Sequence, residues 1–217
     1  MRLLVTATAA AATLALAGAA AGATPDVSKL ILSAKQVGVA YVLHQRNDGH
    51  GLGTRTLDLC GISSYPSEGL RTSRLQVDYL QQGGTLGLSN EVVTYKAGGA
   101  AQAMREVIAH AIQCPHRPIL PGEQNLPPLT FTITVLKDKH LLKDAIAVRV
   151  RVQGIVNGKL MDQTSYAVYQ RIGNVLSGVY SFGAKAGQQA FCLRAAEQSA
   201  RNLRRLGGSV TVTGPSA

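Results

Sequence analysis

The feature that most restricts this chain is an asparagine-glycine pair set between two long runs of alternating side chains. Over residues 145–156, Ile146, Val148, Val150 and Val152 alternate with Ala147, Arg149, Arg151 and Gln153. Asn157-Gly158 follows. This is the strongest short-range hairpin signal, because a type I′ turn needs positive φ at both central residues. Residues 162–171 return as a second run, Gly173-Asn174 turns again, and residues 175–182 complete a three-strand meander. Turns this short impose antiparallel pairing, since a parallel neighbour needs a crossover of about a dozen residues or more.

The rest of the chain adds to that sheet. Leu75, Val77 and Tyr79 alternate with Arg74, Gln76 and Asp78, which predicts a half-buried strand. Residues 88–95 predict its hairpin partner across Gln82-Gly83-Gly84. Ala100, Met104, Val107, Ile108 and Ala111 fall at helical spacing, and Cys114-Pro115 stops that helix. A loop dense in proline follows, with Pro115, Pro118, Pro121, Pro127 and Pro128. Residues 131–136 alternate as a further strand. Residues 188–206 form a last helix, striped by Cys192, Ala196, Ala200 and Leu203. Near the start, Asp26 caps a short helix through Leu30, Ile31 and Ala34, and residues 39–43 are β-prone. Strands and helices do not alternate regularly, so the expected class is α+β: an antiparallel β-sheet with helices packed on one face. The other face is left wet, which suits Arg149, Arg151 and Gln153.

The first 23 residues read as a secretory signal peptide. Arg2 precedes an apolar stretch over residues 3–16, and Ala21-Gly22-Ala23 offers a small-x-small cleavage site. A single domain over residues 24–207 and a flexible tail over 208–217 are expected. With 46% apolar and 16% charged residues, disorder along the whole chain is excluded. The product is expected to be secreted and extracellular, monomeric, and without a membrane anchor. The net charge of +10 favours an anionic partner. The densest basic cluster, Arg194, Arg201, Arg204 and Arg205, lacks the interleaved aromatics that nucleic-acid strands stack on, so no nucleic acid is expected.

Catalytic chemistry leaves little trace. No Gly-x-Ser-x-Gly elbow occurs. Asp78 and Glu91 can meet across the first hairpin, where a surface salt bridge with Arg74 or Lys96 is the expected role. Tryptophan is missing and aromatics make up 5%, against a sugar-stacking cleft. No catalytic residue is assigned, and the chain is read as a non-enzyme. Cys60, Cys114 and Cys192 allow three single bridges. Cys60 and Cys114 lie in irregular positions flanking the first hairpin and helix, so the Cys60–Cys114 pairing is expected. Cys192, on an apolar helix stripe, is then free and buried. Cys114-Pro115-His116 offers two metal ligands with no second pair at ligand spacing, so no metal and no cofactor are expected.

Binding is expected on loops held by the sheet. One is the glycine-rich stretch over residues 49–53, with His50. The other is the proline segment, where His116 and Arg117 give cationic character suited to an acidic extracellular ligand. Two rivals stand beside this ligand-binding reading. A secreted hydrolase would carry a perturbed carboxylate or histidine in a polar cleft. A carrier of a hydrophobic ligand would enclose an apolar cavity of several hundred Å3, on the order of ordinary ligand pockets.

At Leu57-Asp58-Leu59-Cys60-Gly61, Tyr65-Pro66-Ser67-Glu68, Arg71, Glu91-Val92-Val93-Thr94-Tyr95 and Cys114-Pro115, the chain resembles a family of actinobacterial secreted proteins and lipoproteins. These in turn resemble the extracellular sensor domain of mycobacterial receptor kinases, the PknH-like domain. The resemblance spans residues 28–205 and agrees in the order of elements. It implies an antiparallel sheet packed by helices with a cleft between, and a role in sensing or binding an extracellular ligand. Two departures bear on that role. The kinase sensor domains carry two disulfides, and three cysteines allow one. No kinase or transmembrane helix accompanies the domain in this sequence.

Overall fold

The computed structural model describes residues 25–47, 52–53, 55–59, 65–84, 86–113, 117–119, 129–183 and 187–207, with residues 117–119 described as backbone. Eight strands form one sheet: β1 (Tyr41–Asn47), β2 (Arg71–Gln81), β3 (Gly87–Tyr95), β4 (Arg117–Ile119), β5 (Leu129–Leu136), β6 (Ala145–Val156), β7 (Lys159–Ile172) and β8 (Val175–Phe182). Their order is β1-β2-β3-β8-β7-β6-β5-β4, and each neighbouring pair is antiparallel. Among the described residues three α-helices accompany them: α1 (Ala34–Val37), α2 (Gly99–Gln113) and α3 (Gln188–Gly207). The sheet is therefore two meanders, β1–β3 and β4–β8, joined edge to edge where β3 meets β8.

Asn157 has φ 51° and Gly158 φ 73°, the pair of left-handed conformations that the hairpin turn requires. Val156 pairs with Lys159 across it, and the register runs unbroken to Ala145 and Gln170. The strand expected over residues 88–95 pairs with its predicted neighbour. The leading helix is instead split into a 3-10 turn, Val27–Lys29, and the four-residue α1. Within the proline loop, Arg117–Ile119 pairs with β5 as an edge strand, and prolines are tolerated at sheet edges because one side of such a strand needs no ladder donor.

The α+β class and the antiparallel sheet are as expected. The helices, however, do not share one face. Alternation along β3 sends Leu88 and Val92 to one side and Val93 and Tyr95 to the other. The first side packs against Cys192, Ala195, Ala196 and Leu203 of α3, together with Leu30, Ile31 and Leu32 of the N-terminal segment. The second packs against Ala100, Ala103, Met104 and Val107 of α2. Every residue of β3 is buried as a result. Toward β5 and β6 the α3 side is left uncovered, and Arg149 and Arg151 are exposed there.

Each covered face has its own polar ties. On the α3 side, the Asn90 amide donates to Ser177 Oγ (3.1 Å) and to the Gly178 carbonyl (2.9 Å), while its oxygen accepts from Leu32 N (2.8 Å). Ser177 and Ser199 share a 2.7 Å hydroxyl contact, and Asn202 donates to the carbonyl of Leu30 at 3.1 Å. These bonds fix α3 and the N-terminal segment against the sheet in one register, at positions where a polar group without a partner would be costly.

Candidate ligand-binding site

Two features could carry function, and they lie on opposite faces. The first is an open groove of about 610 Å3 around the β5–β6 connection, on the α3 side. Leu136, Leu141 and Leu142 line it and also pack against the core beneath α3. Lys137, Lys139 and Lys143 line it as well. The connection is anchored at the end that leads into β6. The fully buried Gln170 accepts from Leu142 N at 3.2 Å and donates to the Ala196 carbonyl of α3 at 2.8 Å. Asp144 takes the Arg171 guanidinium, with Nε at 2.5 Å, and its carbonyl accepts from Arg171 N at 2.9 Å. Three leucine side chains and three ammonium groups thus border the groove, with the Asp138 carboxylate among them.

Beside the groove, Asp138 and His140 of the same connection meet Glu197 of α3, with their donor atoms all within 4.8 Å of one another. Nothing in the sequence marked this trio. Its members lie on two distant elements, and a lysine-rich loop reads as a solvated connection. Gln170 did leave a signal, as a polar residue on the strand face that carries Val168.

The second feature is a charged network buried under the α2 side. Arg74 Nε donates to Glu91 Oε1, and their side chains are only 5% and 3% exposed. Thr56 Oγ1 donates to the same oxygen at 3.0 Å and accepts from Arg71 Nη1 at 3.0 Å. Arg71 also pairs with Glu68 at 3.1 Å. Glu68 in turn accepts from the backbone N–H groups of Thr56 (3.0 Å) and Leu57 (3.3 Å). The chain continues through Arg74 to Gln76, and from Gln76 to Asp78 and Ser89 at 3.0 Å each. Burial pushes the Glu91 carboxyl above its ordinary range, and the Arg74 guanidinium opposes that rise. Tyr180 closes the network, its hydroxyl 3.5 Å from Glu91 Oε2 and its ring edge-on to Tyr169. Tyr180 fits there because residue 178 is glycine: a Cβ at that position would stand 2.1 Å from the Tyr180 hydroxyl.

The surface salt bridge expected for Glu91 is thus corrected. Its partner is Arg74, but the pair is interior. A second layer formed by α2, the 3-10 turn Pro66–Leu70 and residues 55–59 covers what the strand alternation read as a wet face.

Of the residues singled out in the sequence, Arg117 lies in edge strand β4, opposite Phe131 and at the far side of the sheet from β1. His50, His116, Cys60 and Cys114 lie outside the described residues, as do the leader and the tail. Cys192 is free and buried, and burial raises its thiol to about 12. Among the described residues no helix is long and apolar enough to cross a membrane.

No family model matches the chain, and no curated protein sequence matches it. Solved structures do. A structure of an uncharacterised protein from Mycobacterium smegmatis aligns with 81% of this chain and 97% of its own, at 11% identity and a TM-score of 0.41. The extracellular domain of PknH from Mycobacterium tuberculosis aligns with 80% of this chain and 94% of its own, at 12% identity and a TM-score of 0.54. In its fold, this chain is similar to the extracellular domain of PknH.

Proposed function

We propose that this chain is a secreted, non-catalytic ligand-binding domain of the cell envelope, sensor-like in fold, and that its groove takes an anionic ligand with an apolar part. The observation that carries the reading is the groove itself, where Leu136, Leu141 and Leu142 stand with Lys137, Lys139 and Lys143. The leucines reward burial of an apolar tail, by about 25 cal/mol per Å2 covered. The lysines select the sign of the head group, in a chain whose net charge is already +10. The groove is open rather than enclosed, which suits a ligand that is sampled and released better than one carried in a sealed cavity. The likeness in fold to the extracellular domain of PknH supports the extracellular setting of this reading.

Glu91 favours the hydrolase reading by its raised pKa. Its carboxylate, however, is taken up by Arg74, Thr56 and Tyr180, and its side chain is 3% exposed. Such a group is placed to hold the fold rather than to meet a substrate.

The test uses 1-anilinonaphthalene-8-sulfonate as an anionic apolar probe. Saturable binding to the native protein is expected, weakened at least tenfold, about 1.4 kcal/mol, in the Lys137→Gln, Lys139→Gln, Lys143→Gln variant. Equal binding by that variant, or none by the native protein, overturns the proposal.

A further inference from the structure

We infer that Asp138, His140 and Glu197 form a binding site for one divalent transition-metal ion, of which zinc is the representative. Two carboxylates and one imidazole, drawn from the β5–β6 connection and from the middle of α3, place their donor atoms within 4.8 Å of one another. This is a mixed nitrogen and oxygen ligand set. Imidazole suits zinc and its neighbours, whereas calcium and magnesium take oxygen ligands. Three protein ligands leave at least one coordination position for water, the arrangement of an open zinc site. Zinc bonds of about 2.0–2.2 Å in tetrahedral geometry set donors about 3.4 Å apart, so these would close by up to about 1.4 Å from their 4.8 Å limit. His140 is exposed and both carboxylates are only partly buried, so side-chain rotation can supply that movement.

The charge pattern points the same way. The chain has 12 acidic residues against 22 lysines and arginines, yet two of the 12 are brought together here. The only cation paired with Glu197 among the described residues is Arg201, at 4.0 Å and half exposed, a weak contact. A divalent ion would remove the mutual repulsion of the carboxylates and tie the connection to α3. The inference does not rest on the groove's ligand, although Asp138 belongs to both features.

The test is isothermal titration of zinc chloride into chelator-stripped full-length protein, with thermal unfolding measured in parallel. One equivalent should bind with a dissociation constant of micromolar order or tighter, and saturating zinc should raise Tm. His140→Ala and Glu197→Gln should each weaken that binding at least tenfold. His44→Gln, which removes a histidine from another part of the sheet, should leave it unchanged. Magnesium or calcium at the same concentration should not raise Tm. The inference is overturned if His140→Ala binds zinc as the native protein does, if no saturable binding occurs, or if calcium or magnesium matches zinc. Because His140 is an exposed loop residue, its variant tests the site even if Glu197→Gln fails to fold.

Discussion

At the scale of single residues, the interior charges dominate. Arg74 and Glu91 are each buried and each depend on the other. Arg74→Met leaves a carboxylate without its counter-ion in the interior, and a loss of about 3–5 kcal/mol is expected by urea denaturation. Arg74→Met combined with Glu91→Leu removes both charges and should recover much of that loss; a double variant as unstable as the single one would falsify the pairing argument. Gly178→Ala should push Tyr180 off Glu91 and cost about 1–3 kcal/mol by overpacking. His110 behaves differently. Its ring stands edge-on to Tyr65, its Nδ1 is buried without a hydrogen-bond partner among the described residues, and burial lowers its pKa against the pull of Glu106. A histidine depressed in the folded state takes up protons on unfolding, so its contribution is complete above pH about 6.5 and is lost as pH falls below that value. His110→Phe should flatten the fall in unfolding free energy measured between pH 7 and pH 5.

At the scale of elements, the β6–β7 hairpin is the best-determined unit, because turn chemistry and side-chain alternation agree along it. Gly158→Ala forces a Cβ into a left-handed conformation and should cost about 1–2 kcal/mol, measured by thermal unfolding, with the register kept. Helix α3 gives a second check. Cys192 lies on its buried stripe with a thiol raised to about 12, so an alkylating reagent at pH 8 should leave it untouched in the native protein. Denaturation without reductant should then expose one thiol per chain, provided Cys60 and Cys114 are bridged. Three thiols would refute the bridge. These elements were legible in the sequence because each carries its own period and its own stop signals. The side of the sheet that each helix takes was not. A stripe of alanines says that a helix face is buried, and nothing in it names the partner face.

At the scale of the whole molecule, the same limit explains the misread charges. Alternation along β2 separates Leu75, Val77 and Tyr79 from Arg74, Gln76 and Asp78, and a one-layer reading sends the second set to water. A helix on each side of the sheet buries Arg74 and leaves Gln76 and Asp78 half-buried, and only the assembled layers reveal it. The groove was hidden for a related reason: its walls come from a short connection and the sheet edge beneath it, brought together by Gln170 and Asp144. The meeting of β3 with β8 has a further consequence, for how the chain reaches this state. Each meander pairs neighbours in sequence, whereas the seam joins residues 87–95 to residues 175–182. Closing so long a loop is the slow, entropically costly step, so pulse-labelled amides within β6 and β7 should gain protection before those that bridge the seam. A chain halted before that step presents two raw strand edges, β3 and β8, each complementary to the opposite edge of another copy. Refolding at high concentration should therefore raise the share of a domain-swapped dimer, read by size-exclusion chromatography.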